Sequence, residues 1–271
     1  MINLDKILIT GGDGMVASYV DFGIKINREI LDITDTKKVS ETIQRIKPRV
    51  ILHLAAETDL NKCETDPAHA YLVNSVGTYN LAMAAKEIGA KIVYVSTDAV
   101  FPHSRAPHSI NDTAKPESNY GHSKYLGELA VKGMSDDYII ARTSWVFGGG
   151  KERDKKFVAK FIGQLDKPET KAVSDQFSSP TYARDLVGVL KNLIIENKTG
   201  TFHIVNSGVA SRYDMALVIA KTLKKEAEIL PVSGDTFGLL PYQTSSGGLV
   251  GNPARSWQEA LEEYLETEWK K

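Results

Sequence analysis

Short apolar runs recur along the chain, spaced so that a helix fits between them. KILIT (6–10), GIKIN (23–27), RVILHLAA (49–56), KIVYVST (91–97), YIIARTSW (138–145) and GTFHIVN (200–206) are nearly unbroken in apolar residues. Runs of this kind suit strands covered on both faces, as in a parallel sheet. The segments between them carry helical periodicity at 36–47, 66–88, 120–133 and 181–196, and Lys47-Pro48 and Ile88-Gly89 punctuate two of the ends. Repeated alternation of strand and helix predicts an α/β fold built on a doubly wound parallel sheet with right-handed crossovers.

Two stretches break this rhythm. Residues 101–119, rich in Pro, Ser and Asn, separate a strand end from the next helix, and residues 234–256 have a similar composition. Either is a surface connection or, as long loops in compact domains often are, a functional element. The chain closes on an amphipathic pattern, SWQEALEEYLETEW. No repeat and no linker divides the sequence. The expected organisation is a dinucleotide-binding domain over 1–150, with 171–206 returning to it. Residues 151–170 and 207–271 then form a smaller C-terminal substrate-binding lobe.

Composition narrows the classes of function. The 33 basic and 34 acidic side chains of this 271-residue chain nearly cancel, and no basic block points to nucleic acid. No apolar run reaches the roughly 18 residues of a membrane-spanning helix. The N-terminus carries an acidic residue and enters a strand pattern directly, unlike a signal peptide. Cys63, the single cysteine, cannot form an internal disulfide, and the scattered histidines lack metal-ligand spacing. A cytoplasmic protein without a metal or a membrane partner is expected.

Directly after the first strand comes TGGDGMVASY. Gly11 and Gly14 sit where a strand-to-helix turn would expose backbone N–H groups to a pyrophosphate, with Ala17 where a third glycine often stands. Following strand one, the turn predicts a Rossmann-type dinucleotide site, although an ordinary glycine turn has the same letters. The next strand begins so soon that the first helix should span about two turns. That second strand ends Asn27-Arg28 with no acidic residue to hold a ribose 2′-hydroxyl. Arg28 could meet a 2′-phosphate, which favours NADP(H) slightly over NAD(H), or it could be a solvated loop residue.

Several segments together resemble the dTDP-4-dehydrorhamnose reductase family of the extended short-chain dehydrogenase/reductases. They are TGGDGM (10–15), LDITD (31–35), HLAAETDLNKCETDPAHAYLVN (53–74), VSTDAVF (95–101), YGHSKYLGE (120–128), ARTSWVFG (141–148), DQFSSPTYARDL (175–186) and SWQEALEEYL (256–265). The resemblance implies a catalytic set of Thr97, Tyr120 and Lys124. It places Gly11, Gly14, Met15 and Val16 on the pyrophosphate turn, and Asp32 and Ile33 at the adenine. It brings Leu54, Ala55, Ala56, Thr58 and Asn74 to the cofactor, and Ser96, Trp145 and Gln176 to the sugar. Ala99 departs from the family's usual tyrosine, and an arginine the family usually carries before the C-terminal loop is absent around GLLPYQTS.

Within that frame the Tyr120/Lys124 spacing acquires a meaning. Residues four apart lie about 40° apart around a helix, so their side chains can meet whether or not they do chemistry. Reduction of a ketone needs a hydride donor and a proton for the developing alkoxide, and a tyrosine helped by a lysine one turn away can supply that proton. Thr97, at the end of a parallel strand, could hold the carbonyl oxygen. The sequence Thr97-Asp98-Ala99 lacks the glutamate that related sugar-nucleotide dehydratases use, which disfavours elimination. The expected activity is NAD(P)H-dependent reduction of the C4 ketone of a nucleotide-linked 4-keto-6-deoxysugar, by an enzyme that could be a homodimer. An epimerase that retains NAD and a non-catalytic dinucleotide-binding regulatory subunit remain as alternatives. Trp145 could equally be core, Gln176 could face solvent, His53 reads as a core histidine, and Cys63 reads as inert.

Overall fold

All six apolar runs contribute a strand to one sheet. In the computed structural model, which describes residues 3–103, 107–238, 248–250 and 255–270, these are β1 (Ile7–Thr10), β2 (Ile24–Ile26), β3 (Val50–His53), β4 (Lys91–Thr97), β5 (Tyr138–Thr143) and β6 (Gly200–His203). They run parallel in the order β6-β5-β4-β3-β1-β2. Because side chains alternate along a strand, Leu8, Ile51 and Ile92 face one layer of helices while Ile7, Ile9 and Val93 face the other. The first layer packs Val39, Ile43, Leu81 and Val131 from α1 (Thr36–Ile46), α2 (Thr78–Ile88) and α3 (Asn119–Met134). The second packs Leu186, Leu190 and Ile194 of α4 (Ala183–Ile195) with Val20 and Phe22. This is the doubly wound arrangement that the alternation predicts.

Helix boundaries follow local chemistry. Asp35 caps α1 by accepting from the Lys38 amide, and Lys47 ends it in the left-handed conformation just before Pro48. Ser118 caps α3 through the Gly121 amide. The C-terminal pattern forms α6 (Trp257–Glu268), opened by a reciprocal Ser256/Glu259 capping box.

Four features differ from the sequence reading. The first helix is a single 3₁₀ turn, Val16–Tyr19, not two α-turns, because β2 begins almost at once. β2 is an edge strand with Ile24 44% exposed, so it is not covered on both faces. RVILHLAA leaves the sheet after His53, so Leu54, Ala55 and Ala56 line a strand end. The 66–88 helix changes winding along its length, with Pro67–Tyr71 α-helical, Leu72–Gly77 a π-turn and α2 completing it.

A separate core gathers Phe147, Phe161, Leu165, Tyr182, Met215 and Tyr264 with α5 (Arg212–Leu223) and α6. The strand Glu169–Val173 pairs in parallel with Glu228–Val232 beside this core and not with the central sheet. The chain's return to the sheet therefore runs through α4 and β6, later than the expected 171. Much of 239–256, including most of GLLPYQTS, lies outside the described residues.

Candidate active site

The path from β1 to β2 and then back past β1 to β3 opens a crevice at the carboxyl ends of β1 and β3, where open α/β sheets bind ligands. Gly11 lines it with φ +70°, and a β-carbon there would sit 2.8 Å from the Ala55 amide nitrogen. Only glycine permits this approach of the β1 turn to the end of β3. The Gly14 amide closes the turn onto the Gly11 carbonyl at 2.9 Å, leaving the Met15 and Val16 amides at the head of the 3₁₀ turn. One 3₁₀ turn supplies little helix dipole, so close backbone approach and amide donors are what this cradle offers an anion. A cavity of about 200 Å³ continues past it, lined by Gly11, Arg28, Asp32, Ile33, Ala55 and Ala56 among others. These residues fit the adenosine end of a dinucleotide.

At the far wall Arg28 Nε lies 3.3 Å from Asp32 Oδ2. Asp32 also accepts from the amide and hydroxyl of Thr34, and the amide bond leads in holding its carboxyl below the usual range. An acidic group therefore does stand beside Arg28. The sequence reading looked for it at the strand end, whereas the chain delivers it four residues later. Thr58, just past Glu57, receives Lys156 Nζ on its carbonyl and hydroxyl at 3.3 and 3.1 Å.

Thr97, Tyr120 and Lys124 converge. β4 ends at Thr97, and Gly121 lets α3 press against the Ala99 carbonyl, where any β-carbon would collide. The Thr97 hydroxyl donates to Asp98 at 3.1 Å and accepts from the Ala99 amide at 3.1 Å. Burial raises the Tyr120 phenol well above its ordinary value, the nearby Thr97 hydroxyl opposing this and the Asp98 charge adding to the rise. Lys124 is 3% exposed and donates to the Val95 carbonyl at 2.8 Å, its ammonium 4.1 Å from the centre of the Tyr94 ring. Burial pulls its pKa down to about 7, opposed by the Glu128 carboxylate. The expected lowering of Tyr120 by Lys124 is thus not what this arrangement gives: the lysine is held toward Val95, and desolvation dominates the phenol.

Some predicted residues are committed elsewhere. Ser96, expected at the sugar, is 3% exposed and gives its hydroxyl to Glu128 Oε1 at 2.7 Å. Asn74, expected at the cofactor, spends its amide on both backbone groups of Glu57 and on Ser123 Oγ, tying the end of β3 to α3. Gln176 is buried against Gly234 and does not face solvent. Trp145 bends the chain with φ +39°, a strained value for a bulky residue, and carries the Arg212 guanidinium 3.5 Å from its ring centre, so that face is not free to stack on a sugar.

Sequence reasoning missed three groups. Glu128 receives Arg142 through two bonds of 2.9 and 2.7 Å, deep beneath Lys124. Its signal was available, since positions 120, 124 and 128 share a helical face. Asp98 accepts Ser144 and Ser178 at 2.6 and 2.8 Å, locking its carboxylate with the Thr97 bond. Arg212 lies far away in sequence and gave no pattern. His53 is the satisfied core histidine expected: Thr10 Oγ1 is 2.8 Å from Nδ1 and Thr78 Oγ1 is 3.0 Å from Nε2. Thr78 donates onward to the Asn74 carbonyl, so Nε2 carries the proton, and burial holds the ring's pKa down to about 3. Burial likewise pushes the Cys63 thiol up to about 11, as an inert cysteine requires.

The family model described as the RmlD substrate binding domain matches residues 5–268. The spore coat polysaccharide biosynthesis protein SpsK of Bacillus subtilis is 32% identical over 97% of this chain and 98% of its own. A dTDP-4-dehydrorhamnose reductase of Mycolicibacterium smegmatis is 33% identical over 95% of this chain and 84% of its own. The crystal structure of dTDP-4-dehydrorhamnose reductase from Bacillus anthracis in complex with NADP superposes with a TM-score of 0.89 at 32% identity, covering 96% of this chain and 98% of that one.

Proposed function

The chain belongs to the dTDP-4-dehydrorhamnose reductase family, and from that premise we propose that it reduces the C4 ketone of a nucleotide-linked 4-keto-6-deoxysugar with NADPH. The observation that carries the reading is that Thr97, at the carboxyl end of β4, lies close enough to influence the Tyr120 phenol, with Lys124 buried one helical turn further along α3. The NADP complex of the Bacillus anthracis relative supports the cofactor. Reduced nicotinamide, when bound, supplies the hydride.

The protein's part is to place and protonate. Gly11, Gly14, Met15 and Val16 hold the pyrophosphate, Asp32 and Ile33 flank the adenosine, and Leu54, Ala55 and Ala56 border the path inward. Thr97 holds the ketone oxygen by turning its proton away from Asp98, which keeps the two serine donors. Tyr120 breaks its O–H bond to protonate that oxygen as negative charge develops there. Its raised pKa keeps it protonated until that moment. Lys124, anchored on the Val95 carbonyl one helical turn from Tyr120, would hold the nicotinamide ribose. With Ala99 where a dehydratase would place a glutamate, and Asp98 still bound by the hydroxyls of Ser144 and Ser178, the end of β4 does not offer a free carboxylate for elimination.

Residues 1–150, with α4 and β6, form the dinucleotide-binding unit of this proposal, and the second core forms the sugar-binding lobe. We assign the enzyme to the cytoplasm. Exposed Leu72, Val76, Tyr79, Leu126 and Leu129 on neighbouring helices support a homodimer, which sedimentation equilibrium tests. The activity is tested by incubating the protein with NADPH and a panel of nucleotide-linked 4-keto sugars. Oxidation of NADPH with a dTDP-4-keto-6-deoxysugar is expected. Silence across the panel, with NAD retained through purification, would replace the reductase by an epimerase.

A further inference from the structure

A full first helix would bury one face along the sheet and so fix the turn that precedes it. Here that element is one 3₁₀ turn, Val16–Tyr19, in which Ala17 is fully buried. The Gly14 amide bonds to the Gly11 carbonyl, and the Ser18 amide to the carbonyls of Gly14 and Met15. These bonds close the loop on itself and leave its attachment to other contacts. At the near end the Gly12 amide donates to the Ile26 carbonyl of edge strand β2 at 2.9 Å.

Tyr19 holds the far end. Its half-buried ring packs against both cores. Its hydroxyl accepts from the Gly149 amide at 2.6 Å and donates to Glu268 Oε1 at 2.7 Å, at the end of α6. The same carboxylate oxygen accepts from the Tyr182 hydroxyl at 2.7 Å, where α4 begins. Burial raises both phenols, so both remain donors at any working pH.

The chain makes room for this brace. Past β5 it runs Gly148-Gly149-Gly150, a triplet that neither strand nor helix pattern explains. A β-carbon on Gly148 (φ +139°) would lie 3.0 Å from Tyr19 Cε2, and one on Gly149 (φ +88°) 2.9 Å from Met15 Cγ. Both ends of the 3₁₀ turn therefore seat closely on the start of the second lobe. Packing alone would need no carboxylate here. The nearest cation, Arg184, is half-exposed with Nη2 3.7 Å from Glu268 Oε1, so the two short phenol bonds are what hold this group. Such charge-assisted bonds are directional and fix a position more narrowly than apolar contact does.

Resting on the cofactor reading above, we propose that Tyr19 and Glu268 are positioning residues for the dinucleotide. The end of α6 holds, through Tyr19, the turn whose Met15 and Val16 amides meet the pyrophosphate. Neither side chain touches the cofactor, and the second lobe thereby completes the cofactor site.

The test compares two ligands by calorimetry: NADP⁺, and adenosine 2′-monophosphate, which has the adenosine end without the pyrophosphate. Y19F and E268A should each weaken NADP⁺ about 5- to 20-fold, the loss of a charge-assisted hydrogen bond, and leave the monophosphate unchanged. The double variant should lose little more than the larger single loss, since both substitutions break the same bond. E268Q keeps the accepting Oε1, should recover most of the affinity, and serves also if E268A folds poorly. Variants that are folded by circular dichroism and bind NADP⁺ as wild type does would overturn the assignment. Equal losses for NADP⁺ and the monophosphate would overturn it too, because the effect would then not lie at the turn. Wild-type protein that binds neither ligand would overturn the cofactor reading itself, and this brace with it.

Discussion

The two ends of the crevice are built differently. At the inner end Ser96, Thr97 and Lys124 are 3%, 6% and 3% exposed, and each polar group has a named partner. At the outer end the Arg28 side chain is 71% exposed and meets Asp32 in solvent. In a buried network the loss of one partner strands the others, whereas an exposed ion pair is screened and individually weak. On the proposed function, the inner end is the part that would fix the chemistry, and the outer end the part that would adjust which cofactor enters. Substitutions at the two ends should differ in kind as well as in size.

The largest effect is expected at Tyr120. Y120F removes the proton donor and should lower kcat by about 10²–10⁴, with NADPH affinity nearly unchanged. Steady-state turnover of the purified variant checks this, and near-normal turnover would revive the non-catalytic reading. Next comes the buried pair beneath the site. E128Q leaves Arg142 without its bidentate partner and should destabilise the fold by about 3–5 kcal/mol, measured by urea unfolding. A loss below about 1 kcal/mol would mean that the pair is not acting as a buried network.

Lys124 gives a pH signature. Its folded pKa of about 7 lies below the ordinary 10.5, so between these values the unfolded chain holds more protons than the native one. Stability should therefore rise with pH through this window, and the penalty is fully present below pH 7. K124M should flatten that rise relative to wild type. Parallel pH curves for the two proteins would contradict the burial of a titrating lysine. The smallest effect belongs to the outer end. R28A should weaken NADPH about tenfold and NADH far less, because it leaves Asp32 to repel a 2′-phosphate while still accepting from a 2′-hydroxyl. Equal losses for both cofactors would return Arg28 to the role of a loop residue.

How much of this was legible in the sequence depended on distance along the chain. The sheet was readable because each strand is a local apolar run, and the turn at Gly11 because its spacing is local too. The convergence of Tyr120 and Lys124 followed from one helical face, and the same face held Glu128 in plain view. The bonds that hold Ser96 and Asn74 could not be read, because their partners, Glu128 and Ser123, arrive from another element. The first helix came out as one 3₁₀ turn, shorter than expected, because β2 begins almost at once. Arg212 could not be found at all. Its meaning depends on Trp145, 67 positions earlier, and on a backbone bend with φ +39° that no local pattern announces.

The central claim is that hydride reaches the C4 ketone while Tyr120 protonates its oxygen. It is tested most directly by turning over the keto-sugar with NADPH carrying deuterium in place of the transferable hydride, and locating the label in the product by NMR. The account predicts one deuterium at C4 for each NADPH consumed, and none with Y120F beyond its residual turnover. Product formed without label, and without any added cofactor, would contradict it.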